Sequence, residues 1–138
     1  MLRRSLLAAM ALFTSALLAH GEGNLAAKPT TLPDLVLNND LSLSQTEYLL
    51  ETGKYYRLSI SSDGQEQFAL IAPDFFRNVW LDKIVVDDLE IIAAGVTSLT
   101  FDDEGVFVLT FVPIRPGRFE FWVDGYENRG MKGAFMVN

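Results

Sequence analysis

Short apolar and β-branched runs separated by turn residues constrain the fold of this chain more than any other feature. No long segment shows a helical stripe, and Gly, Pro and Asp separate the runs. Many short strands divided by such turns predict an all-β sandwich or barrel rather than βαβ units. The candidate strands are 34–37, 47–50, 55–61, 68–72, 79–86, 90–93, 98–101, 106–112, 119–123 and 133–137.

Alternation within the runs predicts which side chains face the core. In 55–61, Tyr56, Leu58 and Ile60 should point inward, since successive side chains of a strand lie on opposite faces. The run 106–112 is apolar at nearly every position, which predicts a central strand covered on both sides. Residues 73–78 begin with Pro73 and could form one helical turn. The acidic segment 102–105 is expected to be a solvated hairpin turn with Gly105 at positive φ.

The N-terminal segment 1–21 has the features of a secretory signal peptide. Arg3 and Arg4 precede an apolar run, 6–19, and the segment ends Ala19-His20-Gly21, so cleavage is expected after Ala19 or Gly21. The apolar run is short for a bilayer span, and no span is expected after cleavage. We therefore expect a periplasmic or secreted protein. Residues 22–45 would form a leader and first strand region, followed by one domain, 46–138.

Composition excludes several chemistries. The 138 residues contain no Cys and one His. Disulfides, thiolate nucleophiles and His-rich zinc sites are therefore excluded. The net charge of −7 marks an acidic protein and argues against nucleic-acid binding, which needs clustered Lys and Arg. Without Cys or His after the signal segment, a general base would have to be a carboxylate or Tyr126, and no paired arrangement is readable. We expect no enzyme activity.

Residues 115–137 carry the most specific pattern in the chain. A Pro116-Gly117 turn leads into an aromatic strand, 119–123, and the sequence Gly130-Met131-Lys132-Gly133 precedes the last strand. This order resembles the closing hairpin of the cupredoxins. The resemblance covers roughly 47–138 and implies a Greek-key β-sandwich or barrel of cupredoxin type.

The resemblance also locates the positions of a type 1 copper site. It implies that Val123 occupies the position of the Cys ligand, Tyr126 that of a His, and Met131 that of the weak axial ligand. The other His position falls on Glu66 or Gln67. Type 1 copper depends on a His₂Cys set in which Met contributes little. We therefore expect a degenerate site and no type 1 copper cofactor.

Two functions follow from this reading. The first is an exported cupredoxin-like binding module that acts through a protein partner in the periplasm or envelope, or as an accessory in metal handling. In a loop, one of the adjacent residues Phe75 and Phe76 should be exposed, and exposed aromatic residues beside Arg suit a partner contact. The candidate partner-binding residues are Phe75, Phe76, Arg77, Trp80 and Trp122.

The alternative function is binding of copper or iron through ligands of another type. Carboxylates cluster near the expected ligand loop, and oxygen donors favour harder cations than the copper of a type 1 site. The candidate metal ligands are Glu66, Asp124, Tyr126, Glu127 and Met131.

Overall fold

The computed structural model describes residues 24–138, so the predicted signal peptide lies outside the described residues. Strands dominate, with one short α-helix and one 3-10 turn, Glu127–Arg129. The helix α1 is Pro73–Arg77. The strands are β1 (Thr30–Thr31), β2 (Leu35–Leu37), β3 (Glu47–Leu50), β4 (Tyr56–Ser62), β5 (Phe68–Ile71), β6 (Val79–Val86), β7 (Leu89–Ile91), β8 (Ser98–Phe101), β9 (Gly105–Pro113), β10 (Gly117–Val123) and β11 (Lys132–Val137).

The strands form two mixed sheets. Sheet A has the order β1-β4-β9-β6-β7, with β2 also paired to β4, and sheet B has the order β3-β11-β10-β5-β8. The pairs β1/β4, β2/β4 and β3/β11 are parallel, and the other pairs are antiparallel. The prediction of an all-β sandwich is confirmed.

The predicted strand faces agree with the structure. Tyr56, Leu58 and Ile60 of β4 are buried, while the intervening residues are partly exposed. The strand β9 lies between β4 and β6, so the prediction of a central strand is also confirmed. Its C-terminal half, from Leu109 onward, is buried on both faces.

The acidic segment 102–105 differs from its prediction. It joins β8 of sheet B to β9 of sheet A, so it connects the two sheets and is not a hairpin turn. Gly105 is the first residue of β9 and does not have positive φ. The residue that needs positive φ here is Gly64, in the facing turn, at φ +76°.

Helix α1 closes the core between the sheets. The ring of Phe75 stacks on Phe135 of sheet B with centroids 3.8 Å apart and meets Phe111 of sheet A edge-on at 5.2 Å. One helical side chain thereby connects both sheets. Among residues 24–138, no helix has the length and apolar character needed to cross a membrane.

Candidate functional site

The loop after β10 holds the positions that the cupredoxin resemblance assigned to copper ligands. Val123 and Met131 are both fully buried. The Val123 N–H donates to the Met131 carbonyl at 2.9 Å, and the Tyr126 N–H donates to the Val123 carbonyl at 3.0 Å. The Met131 N–H in turn donates to the Tyr126 carbonyl at 3.3 Å. Backbone hydrogen bonds therefore hold the three positions together although two of them carry neither His nor Cys.

Tyr126 contacts one of the two alternatives for the remaining ligand position. Its hydroxyl donates to Glu66 Oε2 at 3.4 Å, and its ring meets Phe68 edge-on with centroids 5.5 Å apart. The Gln67 amide instead donates to Asp102. The side chain of Glu66, and not that of Gln67, therefore contacts the loop after β10.

The residues present do not fit a type 1 copper ion. Valine offers no donor atom at the thiolate position, and a buried thioether with one phenol and one carboxylate is not a His₂Cys set. Asp124 is exposed and Glu127 is partly exposed. Within residues 24–138, no three His, Cys, Asp or Glu side chains are placed to hold one metal ion. The structure thus joins Glu66 to Tyr126 but does not gather the predicted carboxylates.

The predicted partner-binding residues separate into buried and exposed members. Phe75 and Phe76 are both buried, so the expectation that one of them is exposed is wrong. They lie in α1, where adjacent side chains differ by about 100° and can both reach apolar surroundings. Arg77 is exposed and pairs with Asp74 at 2.9 Å. Trp80 is 46% exposed.

Trp122 does not share a surface with Trp80. It lies on β10 of sheet B, whereas Trp80 lies on β6 of sheet A. The cross-strand partners of Trp122 are Lys132 and Ile71. Of the aromatic residues predicted to bind a partner, Trp80 and Trp122 reach the surface, and they lie on different sheets.

An apolar edge that the sequence did not reveal lies on β7 and the residue after it. The exposed fractions of Leu89, Ile91 and Ile92 are 68%, 45% and 83%. A groove of about 110 Å³ links Trp80 to the segment 93–96, which follows them. The run 89–96 carries one charged residue, Glu90. This low charge is the sequence feature that could have indicated an exposed apolar surface. We name Leu89, Ile91 and Ile92 the apolar edge.

The strand β7 is one of the two terminal strands of sheet A, and β1 is the other. Among the described residues it pairs only with β6, across a two-residue turn in which Asp87 has φ +51°. Lys83 pairs with Glu90 at 2.7 Å, and this hydrogen bond raises the pKa of Lys83. The cations near the apolar edge, Lys83 and Arg77, are thus both engaged with carboxylates.

Asp82 has a structural role within sheet A. It lies at a bulge of β6, between Leu81 and Lys83. Its Oδ2 accepts hydrogen bonds from the Tyr55 hydroxyl at 2.7 Å and from Thr110 Oγ1 at 3.1 Å. Burial, followed by this hydrogen bond, raises the pKa of Tyr55. Asp82 of β6 therefore connects to Thr110 of β9 and to Tyr55, the residue before β4.

Similar architectures occur among solved structures. Reduced auracyanin from the photosynthetic bacterium Roseiflexus castenholzii is 16% identical, with 81% of this chain and 98% of that chain covered, at a TM-score of 0.53. A multicopper oxidase from Campylobacter jejuni, described as a metallo-oxidase, is 8% identical over 80% of this chain and 30% of that chain, with a TM-score of 0.57.

A multi-copper oxidase from Pediococcus acidilactici is 8% identical over 80% of this chain and 26% of that chain, with a TM-score of 0.62. The chain thus spans less than a third of the length of these two oxidases. No family model matches the chain, and no curated protein matches it in sequence. The resemblance first found in residues 115–137 therefore extends to the whole architecture, and the chain has a cupredoxin-like fold.

Proposed function

We propose that this protein is an exported binding module without a type 1 copper centre, and that it acts by adding a strand from a protein partner to β7. The observation that carries the proposal is the combination of a free strand margin with the apolar edge. An exposed apolar strand at a sheet margin is a template for pairing with another chain, and soluble proteins usually protect such strands.

The backbone of β7 offers hydrogen-bonding groups to such a strand. In a two-residue hairpin the flanking residues Val86 and Leu89 form the hydrogen-bonded pair. The next pair, Val85 and Glu90, is then a non-hydrogen-bonded pair. The N–H and C=O of Glu90 therefore point away from β6, toward the side where a partner strand would lie.

Charge near the apolar edge indicates the chemistry of the partner. Asp87 and Asp88 form the turn of the hairpin, and Arg77 and Lys83 already face Asp74 and Glu90. Complementary charge steers association and suppresses wrong partners. The favoured partner is an extended segment of alternating apolar and basic residues, on a protein of the periplasm or envelope.

Site-specific photo-crosslinking tests the proposal. A photoreactive amino acid replaces Ile92 in the full chain, expressed in its own cells, and a matched variant carries it at Leu49. Leu49 is also exposed, at 70%, but lies on β3 at the opposite sheet. We expect a discrete crosslinked protein from position 92 and none from position 49.

A backbone substitution makes the test specific for strand addition. Glu90→Pro removes the outward N–H, while Glu90→Gln keeps it and loses the same charge. We expect the crosslink from position 92 to disappear with Glu90→Pro and to persist with Glu90→Gln. Equal crosslinking from positions 92 and 49, or a crosslink indifferent to Glu90→Pro, would refute the proposal.

A further inference from the structure

A cleft on the outer face of sheet B, opposite the apolar edge, has a lining unlike the rest of the surface. It encloses about 440 Å³, within the range of small-molecule sites. Side chains of β10 and β11 contribute to it, together with the 3-10 turn and the residue before β3. The lining residues are Thr46, Arg118, Glu120, Phe121, Trp122, Glu127, Lys132 and Gly133, of which Phe121 belongs to the buried core.

The charges in this cleft balance, although the protein carries a net charge of −7. Arg118 and Lys132 oppose Glu120 and Glu127, and Arg118 forms an ion pair with Glu120. A lining with equal numbers of cations and anions favours neither an anionic nor a cationic ligand. The balance therefore fits a ligand without net charge.

The hydrogen-bonding groups of the cleft specify that ligand further. Guanidinium and ammonium groups only donate, carboxylates only accept, and the Thr46 hydroxyl does both. A ligand that satisfies all of them must donate and accept from several positions. Hydroxyl groups do this, and a neutral ligand bearing several of them is a saccharide.

Trp122 supplies the apolar part of the site. Its indole is partly exposed in the cleft, and among residues 24–138 no aromatic ring packs against it. An indole combines a large apolar surface with one N–H donor. The C–H face of a pyranose ring matches such a surface, which water covers poorly.

We propose that this cleft binds a neutral saccharide, with a pyranose ring on Trp122 and its hydroxyls between the cations Arg118 and Lys132 and the carboxylates Glu120 and Glu127. This site is independent of the strand addition proposed for β7, because it lies on the other sheet. Either proposal can therefore fail without the other.

Tryptophan fluorescence tests the proposal directly. The protein contains two Trp residues, so Trp80→Phe leaves Trp122 as the only one. This variant is titrated separately with cellohexaose, chitohexaose and maltohexaose. We expect a saturable change in emission with at least one of the three sugars, and the same affinity by calorimetry for the wild-type protein.

Two variants locate the binding. Trp122→Ala should weaken binding by about tenfold, through loss of the aromatic contact. Glu127→Gln, which keeps the size of the side chain, should weaken binding to a smaller extent because an amide accepts less strongly than a carboxylate. Thermal melting checks that both variants are folded. No saturable change with any of the three sugars, or unchanged affinity in Trp122→Ala, overturns the proposal.

Discussion

Substitution of Met131 distinguishes a packing residue from a metal ligand. Met131 is fully buried within the hydrophobic core, and its carbonyl accepts the Val123 N–H at 2.9 Å. A side chain enclosed in this way stabilises the fold by contact on all sides. We expect Met131→Ala to be strongly destabilising and Met131→Leu to be tolerated.

The expected magnitudes follow from the complete burial of Met131. Truncation of a buried Met to Ala costs about 2–5 kcal/mol, whereas a Met to Leu exchange conserves volume and costs less than about 1.5 kcal/mol. For a domain of this size, 1 kcal/mol corresponds to roughly 4 °C in Tm. Met131→Ala should therefore lower Tm by about 8–20 °C, and Met131→Leu by less than about 6 °C.

Thermal melting with and without metal completes the assay. A ligand present at about 100 times its Kd raises the free energy of unfolding by about 2.7 kcal/mol, or roughly 11 °C in Tm here. If the thioether held copper or iron, that rise would occur in the wild-type protein and vanish in Met131→Leu. We expect Cu(I), Cu(II) and Fe(II) to affect the two proteins equally. A metal-dependent rise confined to the wild-type protein would refute the packing role.

Two further substitutions test the turns and the buried phenols. Gly64→Ala should be destabilising by more than about 1–2 kcal/mol in urea unfolding, because φ is +76° and the new methyl group would overlap the Glu104 backbone. Gly95→Ala, which meets no atom within 4 Å, is the control, and equal effects would contradict this reasoning. Burial, followed by the charge of Asp34, raises the pKa of Tyr48. The contribution of the neutral Tyr48 phenol to the free energy of unfolding should therefore be fully present below about pH 10 and decrease above it. Tyr48→Phe should flatten that fall in urea melts across pH, and an equally steep decline would exclude Tyr48 as its source.

Strand positions could be predicted because each strand buries one face. The predictions 47–50, 79–86 and 98–101 coincide with β3, β6 and β8. Alternation between a buried and a solvated face appears directly in the sequence, and Gly, Pro and Asp mark where the chain turns. By contrast, β1 consists of two exposed residues and has no pattern that sequence could reveal.

Partnership between strands could not be predicted from local sequence. The segment 102–105 joins two apolar strands and resembles a hairpin turn, yet β8 and β9 belong to different sheets. Across that connection, the rings of Phe101 and Phe107 meet with centroids 4.8 Å apart. Long-range packing determines which sheet each strand joins, and the residues of the turn do not reveal it.

The burial of Phe75 and Phe76 depended on the conformation of one short segment. In extended chain, adjacent side chains point to opposite sides, and one phenyl ring would have faced water. In α1 the two rings lie 5.7 Å apart, and Phe75 also stacks on Phe135. Because the segment is helical and not extended, Phe75 and Phe76 are core residues and not the partner contacts that the sequence predicted.

The loop after β10 shows how this fold is maintained without His or Cys at the positions that the cupredoxin resemblance assigns to copper ligands. Backbone hydrogen bonds join Val123, Tyr126 and Met131, and these bonds do not depend on the side chains. Val123 fills its position with apolar contact, and Tyr126 packs on Phe68. A loop that is stabilised by packing in this way needs no bound metal to keep its conformation. The apolar edge and the cleft at Trp122 lie on different sheets, so the proposed strand addition and the proposed saccharide site would not compete for one surface.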